Sequence, residues 1–511
     1  MIKHKGAGQA PTGIGMLLTR AAALFALAGA LYFVGAFIYV ALSRLGYPFA
    51  LEWLEGGSYA QVHRLLTGQP LYEQPSMAYV AMLYPPLYYY AAAFISRVVG
   101  FSFMPLRLIS FASSLGALVV IFLIVRQQGG RILAAFLASG LFAAAYHLSG
   151  SWFDIARVDM LSVFLVLLAL WLLQLQHRAW HVAAGLVFAA ACLTKQTHLI
   201  TLACLTAYLM IFDRRKLVVF LLPCLAVLGA SYFILNRLYE GWFGFFVLKL
   251  AVGSGEYVTF DSALFAQTAV DFWLNSILLA LPVVVVVIVI FVIAGLRSHV
   301  DRAATLFYLA FALGMVSTSW SVVQVGGYKN DLVPAYTGIA VLFGLGLHRL
   351  LSQINPLRSG AALALCAVQF AFLWYPISPE LPSSEDLAAG TALVQQLRSR
   401  TGDVYLPFHP DLALMAGKQP YTSWSPMYQL EGNYGGGDIR LAGRVKTEFA
   451  RAMERRQFSM IVLDQEPNWI WGDPERFYTR ASEPVFADKN VFWPVTGWQT
   501  RPEFILLPAA E

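Results

Sequence analysis

The chain has 511 residues, of which 58% are hydrophobic and only 13% charged, about half the ~25% charged share of an ordinary soluble protein. Its 36 Phe, 13 Trp and recurrent long apolar runs exclude a soluble enzyme, a disordered chain and a nucleic-acid binder. The formal net charge of +6 reads as an excess in cytoplasmic loops rather than as a binding patch.

A membrane span needs about 20 mostly apolar residues, and about eleven stretches qualify: 21–42, 107–125, 132–149, 160–175, 180–194, 198–212, 217–235, 270–295, 303–320, 333–349 and 360–376. Lys3 and Lys5 precede the first, but its apolar run exceeds a signal-peptide core of ~7–15 residues, so it reads as an anchor. Cys192, Cys204, Cys224 and Cys366 all fall inside apolar runs and suggest neither a disulfide framework nor a zinc site.

Alternate loops are basic: Lys3/Lys5/Arg20, Arg126/Arg131, His177/Arg178, Arg214-Arg215-Lys216 after Asp213, Arg297/Arg302 and His348/Arg349/Arg358. By the positive-inside rule that face is cytoplasmic, as is the N-terminus, and an odd number of spans puts the C-terminus outside. The opposite face holds the long segments 43–106, 150–159, 236–269, 321–332 and 377–511. From Ser378 onward the composition is that of a soluble module. Ser383 with Asp386 three residues later forms a helix-start signal. Helical patterns near 384–399 and 438–456 alternate with strand-like runs, Val404-Tyr405-Leu406 and Ser459 to Leu463. The expected fold is therefore an all-α polytopic membrane domain over 1–376, with a small extracytoplasmic α/β domain over 377–511.

Ionisable groups at the edge of an apolar medium are costly and point to function. Glu52 and Glu55, in Leu51-Glu52-Trp53-Leu54-Glu55-Gly56-Gly57-Ser58-Tyr59, share a face if helical. A carboxylate in such surroundings has a raised pKa suited to a general base; the plain alternative is that both end a span and face water. Asp154-Ile155-Ala156-Arg157-Val158-Asp159 reads as a local ion pair of Asp154 with Arg157, as an anion site on Arg157, or as a divalent-metal site on Asp154 and Asp159 with His147 nearby.

Thr194-Lys195-Gln196-Thr197-His198 and Gly326-Gly327-Tyr328-Lys329-Asn330-Asp331 each carry a lysine on the outer face. Either lysine alone reads as structural, snorkelling to the interface. With Arg157 they suggest a phosphate-sized anion site. Tyr84-Pro85-Pro86-Leu87-Tyr88-Tyr89-Tyr90 reads as an interfacial helix, a role compatible with holding a sugar or lipid. No Walker loop, Rossmann glycine pattern, HExxH or Gly-x-Ser-x-Gly stands in a fitting context, so nucleotide hydrolysis is not expected.

In order along the chain, Glu55-Gly56-Gly57-Ser58-Tyr59, Arg64 to Tyr72, the Tyr84 run, Arg157-Val158-Asp159, Leu193-Thr194-Lys195 and Gly327-Tyr328-Lys329-Asn330 resemble the membrane glycosyltransferases of the GT-C fold. The likeness is to the bacterial branch grouped with protein O-mannosyltransferases and lipid A aminoarabinose transferases, and it covers about 20–350. It implies an inverting transferase that takes a sugar from a polyprenyl-phosphate carrier and passes it to an envelope glycan, lipid or protein outside the cytoplasm. It implies a base in the first outer loop, Glu55 first and Glu52 second, and a further carboxylate at Asp159, in some relatives near a metal. Arg157, Lys195 and Lys329 would contact the carrier phosphate. Tyr59, Tyr84, Tyr88, His198 and Asn330 would line the substrate. The expected setting is a multi-pass inner-membrane protein in contact with membrane lipids, with no certain cofactor. The rival readings are a lipid-linked sugar flippase, which would also carry charges within spans, and a non-catalytic relative whose outer domain binds a partner.

Overall fold

The computed structural model describes residues 13–251, 262–320, 327–432, 437–466 and 470–509; Lys3, Lys5 and Gly326 lie outside them. Helix α1 (Gly13–Leu45) runs unbroken for 33 residues because it contains no proline and is rich in Ala and Leu. At 1.5 Å per residue it is about 50 Å long, more than the ~30 Å hydrocarbon core of a bilayer. In the loop that follows lie α2 (Glu55–Leu66) and α3 (Leu87–Val99). The bundle continues through α4 (Phe103–Gln127), α5 (Ile132–Leu148), α6 (Asp159–Leu173), α7 (Arg178–Cys192), α8 (Leu199–Phe212) and α9 (Arg214–Leu238). The short α10 (Trp242–Gly244) leads into a π-helical turn, and α11 (Ser262–Val270) into another. Four more helices complete the bundle: α12 (Pro282–Arg297), α13 (Arg302–Ser319), α14 (Val333–Gln353) and α15 (Pro356–Phe372).

Every one of the expected apolar stretches contains a helix. Among the described residues, four helices reach the length and hydropathy of a full crossing, or five if Ala266–Leu279 and Pro282–Arg297 are one span. The others are shorter, because polar turns such as Gly150–Val158 and Thr194–His198 cut into the ends of the apolar runs. The bent pair meets at 87°, at the proline that opens α12 and cannot donate a backbone hydrogen bond. This broken helix is not expected from hydropathy.

Helix α14 is the hub, with 89% of its apolar window buried, whereas the α9 window is 11% buried and turns Leu222, Phe233 and Ile234 outward. Such a surface would aggregate in water and is stable against lipid. Small residues set the close crossings: a methyl group on Gly185 of α7 would collide with the Phe220 carbonyl oxygen of α9. The basic loops gather at one end, where the Arg131 amide donates to His348 Nδ1 at 3.2 Å and Arg349 pairs with Asp301 at 2.9 Å.

At the other end the C-terminal segment folds over the loop between α1 and α4. It contains α16 (Ser384–Ser399), α17 (Pro410–Met415), α18 (Trp424–Leu430) and α19 (Ile439–Glu454). Its strands are β1 (Asp403–Tyr405), β2 (Phe458–Leu463), β3 (Tyr478–Arg480) and β4 (Phe504–Pro508), in sheet order β1-β2-β4-β3. β1 and β2 are parallel and the other pairs antiparallel. Ser383 and Asp386 make a reciprocal capping box at α16. Val62, Leu71, Tyr88 and Leu106 share one buried cluster with Tyr405, Met427, Phe449 and Ile461. The loop after α1 and the tail thus bury their apolar faces against each other.

Gly185→Ala should destabilise the protein by about 1–3 kcal/mol, the usual cost of overpacking. An unchanged unfolding midpoint in detergent would contradict the α7–α9 crossing.

Candidate active site

Two buried arginines, neither singled out by the sequence patterns, frame the end of the bundle under the tail. Arg44, at the last turn of α1, grips Asp154 with two nitrogens and donates to the Ser151 carbonyl at 2.6 Å. The Tyr146 hydroxyl donates to the same carboxylate at 3.1 Å. Arg107 of α4 holds Glu55 through Nε at 3.0 Å and Nη2 at 2.7 Å, and donates to the carbonyls of Tyr47 and Phe49 at 2.6 Å each. Glu55 also accepts from the Leu51 amide at 2.7 Å and the Ala156 amide at 2.5 Å. Asp154 therefore pairs with Arg44, not with Arg157, and Glu55 has donors on both oxygens. A carboxylate so occupied organises a loop; it has no lone pair turned toward a substrate.

Glu52 is the opposite case. It is fully buried, and neither carboxylate oxygen makes a hydrogen bond of normal geometry. Burial pushes its pKa up to about 8, while Arg157 pulls the other way. Arg157 is buried too, with Nε and Nη1 unpartnered; only Nη2 is engaged, donating to the Tyr84 hydroxyl at 3.1 Å. Burial disfavours its charge, yet Tyr84, Glu52 and Asp159 outweigh it and raise its pKa. An orphaned acid and an orphaned guanidinium therefore feel each other without forming an ion pair. Buried polar groups are nearly always satisfied, so such a pair is a candidate ligand position.

The tail closes this place. The amides of Val495 and Thr496 donate to the Leu51 carbonyl at 3.0 and 3.4 Å. Thr496 Oγ1 donates to the Gly150 carbonyl, and the Gly497 amide donates to the Tyr328 hydroxyl at 3.1 Å. Gly497 has φ +83°, and a Cβ there would stand 2.6 Å from Glu52 Cγ. Only glycine meets both demands.

Asp159 is held by Lys195 Nζ at 2.7 Å, Trp152 Nε1 at 3.1 Å and Asn330 Nδ2 at 3.3 Å. Lys195 also reaches Asp331 at 3.2 Å. Burial works against the lysine charge, but these two acids outweigh it and raise its pKa. His198 Nε2 lies 3.0 Å from Ser162 Oγ, and its Nδ1 is unpartnered. The structure thus brings Glu52, Tyr84, Arg157, Asp159, Lys195 and Asn330 into one network of contacts and fields.

Lys329 stands exposed, with no ion pair joining it to that network among the described residues. Tyr59 packs between Phe101 and Phe103, and the Tyr88 hydroxyl donates to the Leu106 carbonyl at 2.9 Å. Both are buried in the cluster that joins the loop after α1 to the tail. His147 pairs with Glu380 at 2.7 Å. Asp154 and Asp159 are each ringed by donors, which repel a cation, and no metal-binding group of three or more His, Cys, Asp or Glu forms among the described residues. These residues do not fit a divalent metal.

Residues 84–239 match the dolichyl-phosphate-mannose-protein mannosyltransferase family. No curated protein matches the chain in sequence. Among solved structures, ArnT from Cupriavidus metallidurans bound to undecaprenyl phosphate superposes with a TM-score of 0.57 at 13% identity, over 94% of this chain and 98% of that one. Its apo state gives 0.56 at 13% identity, over 93% and 97%. The oligosaccharyltransferase AglB from Archaeoglobus fulgidus, in complex with an inhibitory peptide and a dolichol-phosphate, gives 0.50 at 14% identity, over 88% and 73%. The chain has the GT-C fold and is similar to membrane glycosyltransferases of the mannosyltransferase and ArnT type.

The two glutamates should separate in stability measurements. Glu55→Ala leaves Arg107 buried without its partner and should cost about 3–5 kcal/mol. Glu52→Gln removes an unpaired buried acid and should leave the unfolding midpoint unchanged or raised. Equal destabilisation by both would contradict the assignment.

Proposed function

We propose that the chain is an inverting glycosyltransferase that moves a sugar from a polyprenyl-phosphate donor to an acceptor hydroxyl on the outer face of the membrane. The orphaned Glu52–Arg157 pair is the observation that carries this reading. Glu52 takes the proton from the acceptor hydroxyl as its oxygen attacks the anomeric carbon. The bond from that carbon to the phosphate oxygen breaks, and its electron pair leaves on the lipid phosphate. Arg157 offers its two unused donor nitrogens to that phosphate, where they stabilise charge as it develops. Lys195 and Asn330 fix Asp159, whose field together with Tyr84 keeps Arg157 charged and aimed. Lys329, exposed at the rim, draws the phosphate headgroup toward the site.

This revises the order of the two acids: Glu52 is the base and Glu55 its support. The acceptor is an envelope glycan, lipid or protein. The N-terminus lies in the cytoplasm and the tail outside, because the basic loops collect at the end of the bundle opposite the site. A transporter reading gains only the bent pair, whose described part carries no buried charge.

The test uses undecaprenyl-phosphate hexoses and pentoses labelled in the sugar, with membranes of the source cell as acceptor. Glu52→Gln should lower transfer by about 10²–10⁴-fold, the usual contribution of a general base, while donor binding persists. A fully active variant would remove Glu52 from the mechanism. In the wild-type protein the base must be deprotonated, so kcat/KM should fall as pH drops below about 8. A profile flat between pH 6 and 9 would be inconsistent with this base.

A further inference from the structure

At the end of the bundle away from the tail, two arginines of the basic loops are tied down. Arg126 Nη1 donates to the Gly130 carbonyl. Arg349 Nη2 pairs with Asp301 at 2.9 Å and donates to the Ala294 carbonyl at 3.1 Å. A third group of cations is arranged differently. The first turns of α7 and α9 line a groove of about 680 Å³, within the ~300–1,000 Å³ of ordinary ligand sites. The α7 side supplies Arg178, and the α9 side Arg214, Arg215 and Lys216.

The one carboxylate that lines this groove is Asp213, which caps α9 by accepting from the Lys216 amide at 2.9 Å. Among the described residues none of the four cations forms an ion pair. Their one side-chain hydrogen bond runs from Arg214 Nε to the Met210 carbonyl at 3.2 Å. Like charges gathered in one place repel. Membrane orientation does not demand the arrangement, because the positive-inside bias depends on charge in loops and not on two loops converging.

Apolar surface begins where the charges end. Val218 lines the groove, and Leu222 and Leu225 follow it at helical spacing as one strongly exposed stripe of α9. The stripe rises about 10 Å from the groove at 1.5 Å per residue. Trp180, exposed in the first turn of α7, is of the type that collects where headgroups meet hydrocarbon.

We infer that this groove binds the phosphate headgroup of an anionic phospholipid, with an acyl chain along Val218, Leu222 and Leu225. Arginines match phosphate oxygens in paired hydrogen bonds, and the stripe beside them takes hydrocarbon. A soluble anion would meet the cations and leave the stripe unused. A zwitterionic lipid would bring a further cation to a site that already holds four. Basic pockets between membrane helices commonly hold such headgroups. The site lies away from Glu52 and does not depend on the glycosyltransferase reading.

The test follows the thermal unfolding midpoint of the full-length protein in dodecylmaltoside as dioleoyl-phosphatidylglycerol is added. Dioleoyl-phosphatidylcholine and inorganic phosphate are titrated in parallel. A ligand that binds only the folded state raises the midpoint. Phosphatidylglycerol should do so saturably, at a concentration at least about tenfold below any effect of phosphatidylcholine, and phosphate alone should have none. Arg178→Gln with Arg215→Gln, both at exposed positions, should raise the half-saturating concentration about thirtyfold, the usual contribution of two cations beside an anionic headgroup. Arg214→Gln with Lys216→Gln repeats the test on the other two cations. Arg297→Gln with Arg358→Gln removes the same charge from the same end, outside the groove, and should change little. Equal responses to the two lipids, a midpoint raised by phosphate alone, unchanged groove variants, or equal weakening in the groove and control pairs would each overturn the inference.

Discussion

The bidentate pair of Arg107 and Glu55 is the contact on which the half of the protein beneath the tail depends. Arg107 ties together α4, the N-terminus of α2 and the carbonyls that follow α1. Through the Ala156 amide, Glu55 fixes the 150–158 turn that carries Arg157. Removing either partner would strand a charge in a medium that cannot solvate it. The pair costs desolvation and holds the segment after α1 and the 150–158 turn in a single geometry. In this respect it acts as a register device more than as a source of net stability.

That rigidity is what allows Glu52 and Arg157 to stay unpaired. Left free, a carboxylate and a guanidinium in one buried space would close on each other. Here the backbone on both sides is pinned, Tyr84 holds one edge of Arg157, and Gly497 leaves room for the Glu52 side chain. Unsatisfied polar groups are local violations of good packing, and such violations gather where a ligand completes the structure. The tail takes part directly, because Thr496 and Gly497 bond to Leu51, Gly150 and Tyr328. It is a wall of the site as well as a cover.

Hydropathy and capping made much of the fold legible. Each apolar run became a helix, and Ser383 with Asp386 marked α16 to the residue. Residues near Arg157, Lys195 and Asn330 stood out because charge and amide groups beside apolar runs are rare. The choice between Glu52 and Glu55 was not legible. Its deciding partner, Arg107, lies 52 residues away, at the first position of an apolar stretch and in none of the polar motifs. Arg44 was missed for the same reason, although a charge inside the first apolar helix was signal enough. The need for glycine at 497 had no local signal, since it exists only where the tail folds back on Glu52. The helix break before Pro282 was hidden inside a continuous apolar run.

The most direct measurement is a cryo-electron microscopy structure with undecaprenyl phosphate bound. The account predicts phosphate oxygens within about 3 Å of Arg157 Nε or Nη1, the range of charge-assisted hydrogen bonds, with Glu52 facing the anomeric side and the Arg107–Glu55 pair intact. Phosphate density at Lys329 with Arg157 uncontacted, or a Glu55 carboxylate released from Arg107 toward the lipid, would contradict it.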